Sequence, residues 1–118
     1  MGVHGIYRQA SDILQNRGMS KTLTYDPYTK SVDIVGALLL ACGASEKLLN
    51  KEETDIEKYG VPKANIAKFL VGVEYLEAMI DSGLEDWCSM HETAQGVKLL
   101  RQLADRIDIS VVRQPISG

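Results

Sequence analysis

Apolar positions along the chain fall mostly at helical spacing, in segments separated by turn-forming residues. Ile6, Ala10, Ile13 and Leu14 predict a first helix from about His4 to Arg17, with Gly18 as the residue just past its end. "SVDIVGALLLACG" (31–43) is apolar nearly all round, which predicts a buried helix at the centre of the fold, ended by Gly43. Gly36 inside it costs helix stability, and its presence predicts a close helix–helix approach. "ASEKLLNKEE" predicts a further turn or two of helix with Ser45 as N-cap. Residues 50–60 are charged and poor in hydrophobes, the pattern of a surface loop. Pro62 then opens what reads as the longest helix, with an inward stripe of Ile66, Phe69, Leu70, Val73, Leu76 and Ile80, and Gly83 stops it. A last helix is predicted from Thr93, its N-cap, to about Ile107, with Val97, Leu100, Leu103 and Ala104 facing inward.

Two stretches depart from that period. Thr22, Thr24, Tyr25, Tyr28, Thr29 and Val32 are strand-favouring residues around an Asp26-Pro27 turn, a pattern shared by a short β-hairpin and an ordered loop, with the hairpin slightly favoured. Ile107, Ile109 and Val111 alternate with polar residues, so the tail reads as a strand able to pair with that hairpin. The expected fold is therefore mainly α: a compact bundle of three to four helices around a buried central helix, with a small β-element formed by 22–33 and 107–112. One domain spans 1–118, with a charged loop at 50–60 and a tail at 109–118.

Composition narrows the function classes. The 45% hydrophobic and 25% charged fractions are those of an ordinary soluble globular protein. With one Trp, one Phe and five Tyr, the core must be built mainly from aliphatic side chains. A net charge of −3 with scattered Lys and Arg argues against nucleic acid, which needs a basic footprint. The apolar run at 34–43 is far short of the ~20 residues of a membrane span. Gly2 stands where a myristoylation signal has it, but Ile6 occupies the place of the required Ser or Thr. Two widely separated cysteines and no secretory apolar run predict a reducing, cytoplasmic setting.

"DWCSMHET" (86–93) concentrates the chemistry: the single Trp, one of two Cys and one of two His. Cys88-x-x-His91 is half of a zinc spacing, and no second pair completes it, so no metal site and no cofactor are expected. Nor does the chain carry the paired Glu-x-x-His motifs of a di-iron bundle. The same pair reads as thiol nucleophile and base, with Asp86 as a supporting carboxylate. Glu85, Asp86 and Glu92 oppose a thiolate there, so the favoured reading of Cys88 is a small buried hydrophobe. Trp87 reads first as a core anchor and second as an interface anchor, and Tyr25 and Tyr28 beside the Asp26-Pro27 turn share the ambiguity.

Charge pattern supplies the other signal. Between Phe69 and Val97 the chain has six acidic residues, Glu74, Glu77, Asp81, Glu85, Asp86 and Glu92, and no Lys or Arg. Glu74, Glu77 and Asp81 are spaced to line one side of a helix beside its apolar stripe. A solvated face accounts for such a run; a surface kept for a basic partner accounts for it too.

In order along the chain, Arg17-Gly18, Gly36-Ala37-Leu38, Trp87 and Thr93…Val97…Leu100…Ala104 resemble an uncharacterised family of small bacterial and phage domains of unknown function. The match spans roughly half the chain. Asp33 stands where that pattern has a cysteine, and Cys88-Ser89 where it has Asn-Asp. The resemblance implies a compact, mainly helical domain from a phage or mobile element, and no activity. The function expected is a small non-enzymatic interaction or regulatory protein. Its acidic helix side and the adjoining corner (Glu74, Glu77, Asp81, Glu85, Trp87) would bind a basic protein partner. A small enzyme or ligand-binding domain using Cys88, His91 and Asp86 is the second reading, and a homo-oligomer joined through the tail is the third.

Overall fold

A computed structural model describes residues 3–21, 24–49, 55–80 and 83–113, without the side chains of Val3, Glu85 and 107–113. The mainly α expectation holds. Six α-helices are present among the described residues: α1 (Val3–Arg17), α2 (Ile34–Ala41), α3 (Glu46–Leu49), α4 (Lys63–Met79), α5 (Leu84–Met90) and α6 (Thr93–Arg113). A single 3₁₀ turn, Ile56–Tyr59, lies within the stretch read as a loop, whose residues 50–54 fall outside the described ones. The excess over three or four helices comes from the short α3 and α5.

The central position of α2 follows from its composition. Ile34, Ala37, Leu38, Leu39 and Ala41 are buried, and only Val35 and Leu40 are partly open. Asp33 is its N-cap, with Oδ1 accepting the Gly36 N–H at 2.8 Å. α1 packs against α2, and Tyr7, Ala10 and Leu14 of α1 share one core with Val97, Leu100 and Ala104 of α6, a helix that packs chiefly on α1. Each large side chain so buried contributes roughly 1.5–3 kcal/mol. Gly18 follows α1 with a left-handed φ of +83° and donates to the Leu14 carbonyl at 2.8 Å, as its spacing predicts.

α6 lies along α1. Their outer edges are tied by Arg8 to Asp105 at 2.8 Å and by Arg101 to Gln15 at 2.7 Å, contacts too exposed to contribute much stability. Gly96 permits the close approach of these helices, since a Cβ there would sit 2.8 Å from Leu14 Cδ2. Gly36 plays a different part from the one expected. The atom against it is no helix neighbour but the carbonyl oxygen of Thr24, 2.2 Å from where a Cβ would be.

That contact explains the second departure from expectation. Residues 24–32 form an ordered loop rather than a hairpin, with Val32 making isolated bridges to Met19 in parallel and Tyr25 in antiparallel sense. Thr22 lies outside the described residues. Asp26 holds the turn by accepting the Tyr28 N–H at 2.9 Å, which also keeps its carboxyl below the usual range. The loop is pinned on α2 by the Asp33 N–H to Thr24 carbonyl bond, 3.2 Å, and to α1 by Arg17, which donates to the Lys30 carbonyl at 3.1 Å and also pairs with Glu46 of α3.

The tail is a further correction. Residues 107–113 are helical and extend α6, so they form no third strand and offer no sheet edge for joining copies of the chain. α6, at 21 residues, also outlasts the 17 of α4. Residues 114–118 lie outside the described ones. Thr93 is the first helical residue of α6 rather than its cap. Its hydroxyl accepts the Met19 N–H at 2.9 Å and so fastens the start of α6 to the end of α1. The Gln95 side chain accepts the Glu92 N–H at 2.8 Å, one half of a capping box.

Candidate functional site

α4 is the least enclosed of the long helices. Of its predicted stripe, Phe69 and Leu76 are buried, Ile66, Val73 and Ile80 are half-buried, and Leu70 is 52% exposed. The inner edge is anchored by Gly72, whose carbonyl accepts the buried Tyr7 hydroxyl at 2.7 Å. Burial, with Tyr75 adding to it, raises the Tyr7 phenol well above its ordinary pKa. Met79 ends α4 and receives an Arg106 N–H on its sulfur at 3.2 Å.

Next in the chain is α5, an element the sequence pattern did not reveal. Gly83 starts this helix as its N-cap residue, where it had read as the stop of the preceding one. Leu84 and Cys88 lie inward, at 5% and 1% exposure. The Trp87 indole is half-buried and stacks on the His91 ring, with centroids 3.9 Å apart and planes 7° from parallel. His91 Nδ1 lies 2.7 Å from the Trp87 carbonyl oxygen. Ser89 Oγ donates to the Asp86 carbonyl at 2.7 Å.

Between α4 and α5 runs an open groove of about 750 Å³. Its apolar lining is Val35 from α2, Phe69, Leu70 and Val73 from α4, and Leu84 from α5. Glu74 and Glu77 stand on one wall and Asp86 on the other, all three exposed. The helical spacing that puts Leu70, Glu74 and Glu77 on one flank of α4 joins the half-exposed leucine to the carboxylates. Among the described lining residues there is no basic side chain to neutralise them.

The structure thus sorts the residues singled out by sequence. Glu74, Glu77 and Asp86 share the groove, whereas Trp87 is not among its lining residues and serves the corner beside it. Glu92 is engaged elsewhere, paired with Lys21 at 2.8 Å. Asp81 and the side chain of Glu85 lie outside the described residues. The apolar floor was missed, because Leu70 was assigned to the core and Val35 and Leu84 come from other elements.

Cys88 and His91 sit in different surroundings at the end of α5. The Cys88 thiol is 1% exposed, and the His91 imidazole lies on the Trp87 indole with Nδ1 against a backbone carbonyl. Cys42 is likewise buried, which pushes its thiol up to about 11 against a small opposing effect of Lys68. Among the described residues no three His, Cys, Asp or Glu side chains are grouped as metal ligands, and no helix is long and apolar enough to cross a membrane.

Compared with family models, curated proteins and solved structures, the chain matches none.

Proposed function

We propose that this chain is a small, non-enzymatic interaction or regulatory protein of the cytoplasm, which holds a basic protein partner in the α4–α5 groove. One observation carries the reading: an apolar floor lies open between two helices with carboxylates on both walls and no cation among the described lining residues. A purely solvated acidic face would keep its apolar side chains inside. Here Leu70 remains 52% exposed beside Glu74, and water is a poor long-term neighbour for the leucine. Burying Leu70 and the open parts of Val73 and Val35 under a partner supplies affinity, while Glu74, Glu77 and Asp86 steer a positively charged surface into register. The buried Cys88 and the stacked His91 add rigidity to one wall.

Reversing two charges tests this. Glu74→Lys with Glu77→Lys changes two exposed positions and leaves the fold intact. When lysate proteins retained by the native chain and by the double variant are compared by quantitative mass spectrometry, a basic protein is expected on the native chain and at least tenfold less of it on the variant. Equal retention of every protein by both baits contradicts the proposal.

A further inference from the structure

We infer that the occupant of the α4–α5 groove is an amphipathic helix, with apolar residues at i, i+3 or i+4 and i+7 and with Lys or Arg flanking that stripe on both sides. This rests on the reading of the groove as a protein-binding site and narrows the partner to one class of segment.

The backbone of the walls decides between a helical and an extended occupant. An extended peptide exposes a row of N–H and C=O groups, and it is normally taken up by pairing with the free edge of a sheet. Both walls here are helices, α4 and α5, whose backbone bonds run within each helix, and the described residues contain only isolated β-bridges. An extended chain laid on Leu70, Val73 and Val35 would strand its own polar groups over apolar side chains, at a cost of order 1–3 kcal/mol for each one desolvated. A helix arrives with its backbone bonds already made and presents only side chains.

Length and charge fit the same occupant. From Phe69 to Glu77 the wall rises roughly 12 Å, about two turns, which matches three apolar anchors on one face of a helix. The carboxylates stand on opposite walls, Glu74 and Glu77 across from Asp86. A helix basic along one edge alone would leave one wall unpaired, so the complement carries cations on both edges of its apolar stripe.

The test uses two tryptophan-free peptides of identical Leu, Lys and Ala content. One has its leucines at helical spacing with lysines on either side, and the other alternates leucine and lysine at strand spacing. Trp87, the single tryptophan, sits beside Asp86 and reports binding by its emission. Peptide circular dichroism reports whether a helix forms. The helix-period peptide is expected to bind at least tenfold more tightly, to gain helicity when bound, and to lose at least tenfold in affinity to Glu74→Lys with Glu77→Lys and to Leu70→Ser. Equal binding of both peptides, still lost on charge reversal, overturns the helical occupant and leaves the acidic binding face standing. Binding of neither peptide, or binding indifferent to the charge reversal, overturns both.

Discussion

Gly36→Ala is expected to destabilise the protein by about 3 kcal/mol, although alanine is the better helix former. In an exposed helix the exchange would gain up to about 1 kcal/mol. Here the new Cβ would lie 2.2 Å from the Thr24 carbonyl oxygen and 3.0 Å from Val32 Cβ, and the nearer atom is backbone rather than the end of a flexible side chain. That oxygen accepts the Asp33 N–H at 3.2 Å, and Asp33 in turn caps α2 by accepting from Gly36 itself at 2.8 Å. Displacing Thr24 therefore loosens the loop, its bond and the cap together. Overpacking costs about 1–3 kcal/mol, a lost cap about 1 and a lost hydrogen bond about 1, against the helix-propensity gain. Gly72→Ala is the matched control, because its Cβ would meet the Tyr7 ring at an ordinary 3.6 Å. Urea unfolding should lower the Gly36→Ala midpoint by roughly 1–2 M and leave Gly72→Ala unchanged or more stable. A Gly36→Ala protein as stable as the native one would mean that the loop does not sit on α2 at that point.

Alkali is expected to destabilise the protein progressively from above pH 9. Cys42 ionises at about 11 when folded, against an ordinary thiol near 9, and the buried Tyr7 phenol is held protonated above its usual 10. Both folded-state values are raised, so their stabilising share is complete at neutral pH. It is lost as the unfolded chain begins to release these protons and the folded chain does not. The thiol alone accounts for roughly 2–3 kcal/mol across that window, at about 1.4 kcal/mol for each tenfold difference in acidity between the folded and unfolded chain, and Tyr7 adds to it above pH 10. Tyr7→Phe isolates the phenol. It should cost about 1 kcal/mol at pH 7, for the lost bond to the Gly72 carbonyl, and flatten the decline above pH 10. Unfolding free energies from urea titrations between pH 7 and 11 decide the matter, and an identical slope in native and Tyr7→Phe proteins would show that the phenol is not shielded.

The legible parts of this fold were those specified locally. α1 and α2 could be read because their apolar spacing ends at residues that can only cap or break a helix, Arg17-Gly18 in one case and Gly43 in the other. α5 could not, since Leu84–Met90 mixes acids, Trp, Cys and Ser without a stripe, and Gly83 serves as a start where it resembled a stop. Ile107 and Val111 illustrate an ambiguity of period: they fit an alternating strand and also lie four apart, as a helix requires, and the extension of α6 settled it. Gly36 announced a close approach without naming the neighbour, because Thr24 reaches it through a loop whose conformation depends on Val32 and Tyr25.

The candidate site divides along the same line. Its carboxylates belong to two short segments and were visible as spacing and as an absence of Lys and Arg. Its floor exists only once α2, α4 and α5 have packed, and the one local clue was Leu70, placed four residues before Glu74 and seven before Glu77 on the same flank.

Hydrogen–deuterium exchange of the chain alone and in complex with the partner it retains tests the groove as the binding face most directly. Segments covering residues 66–79 and 84–90 should gain protection together, while the α1–α6 face around Gln15, Lys98 and Arg101 should exchange as before. Protection confined to the α1–α6 face, with α4 and α5 unchanged, would contradict the account.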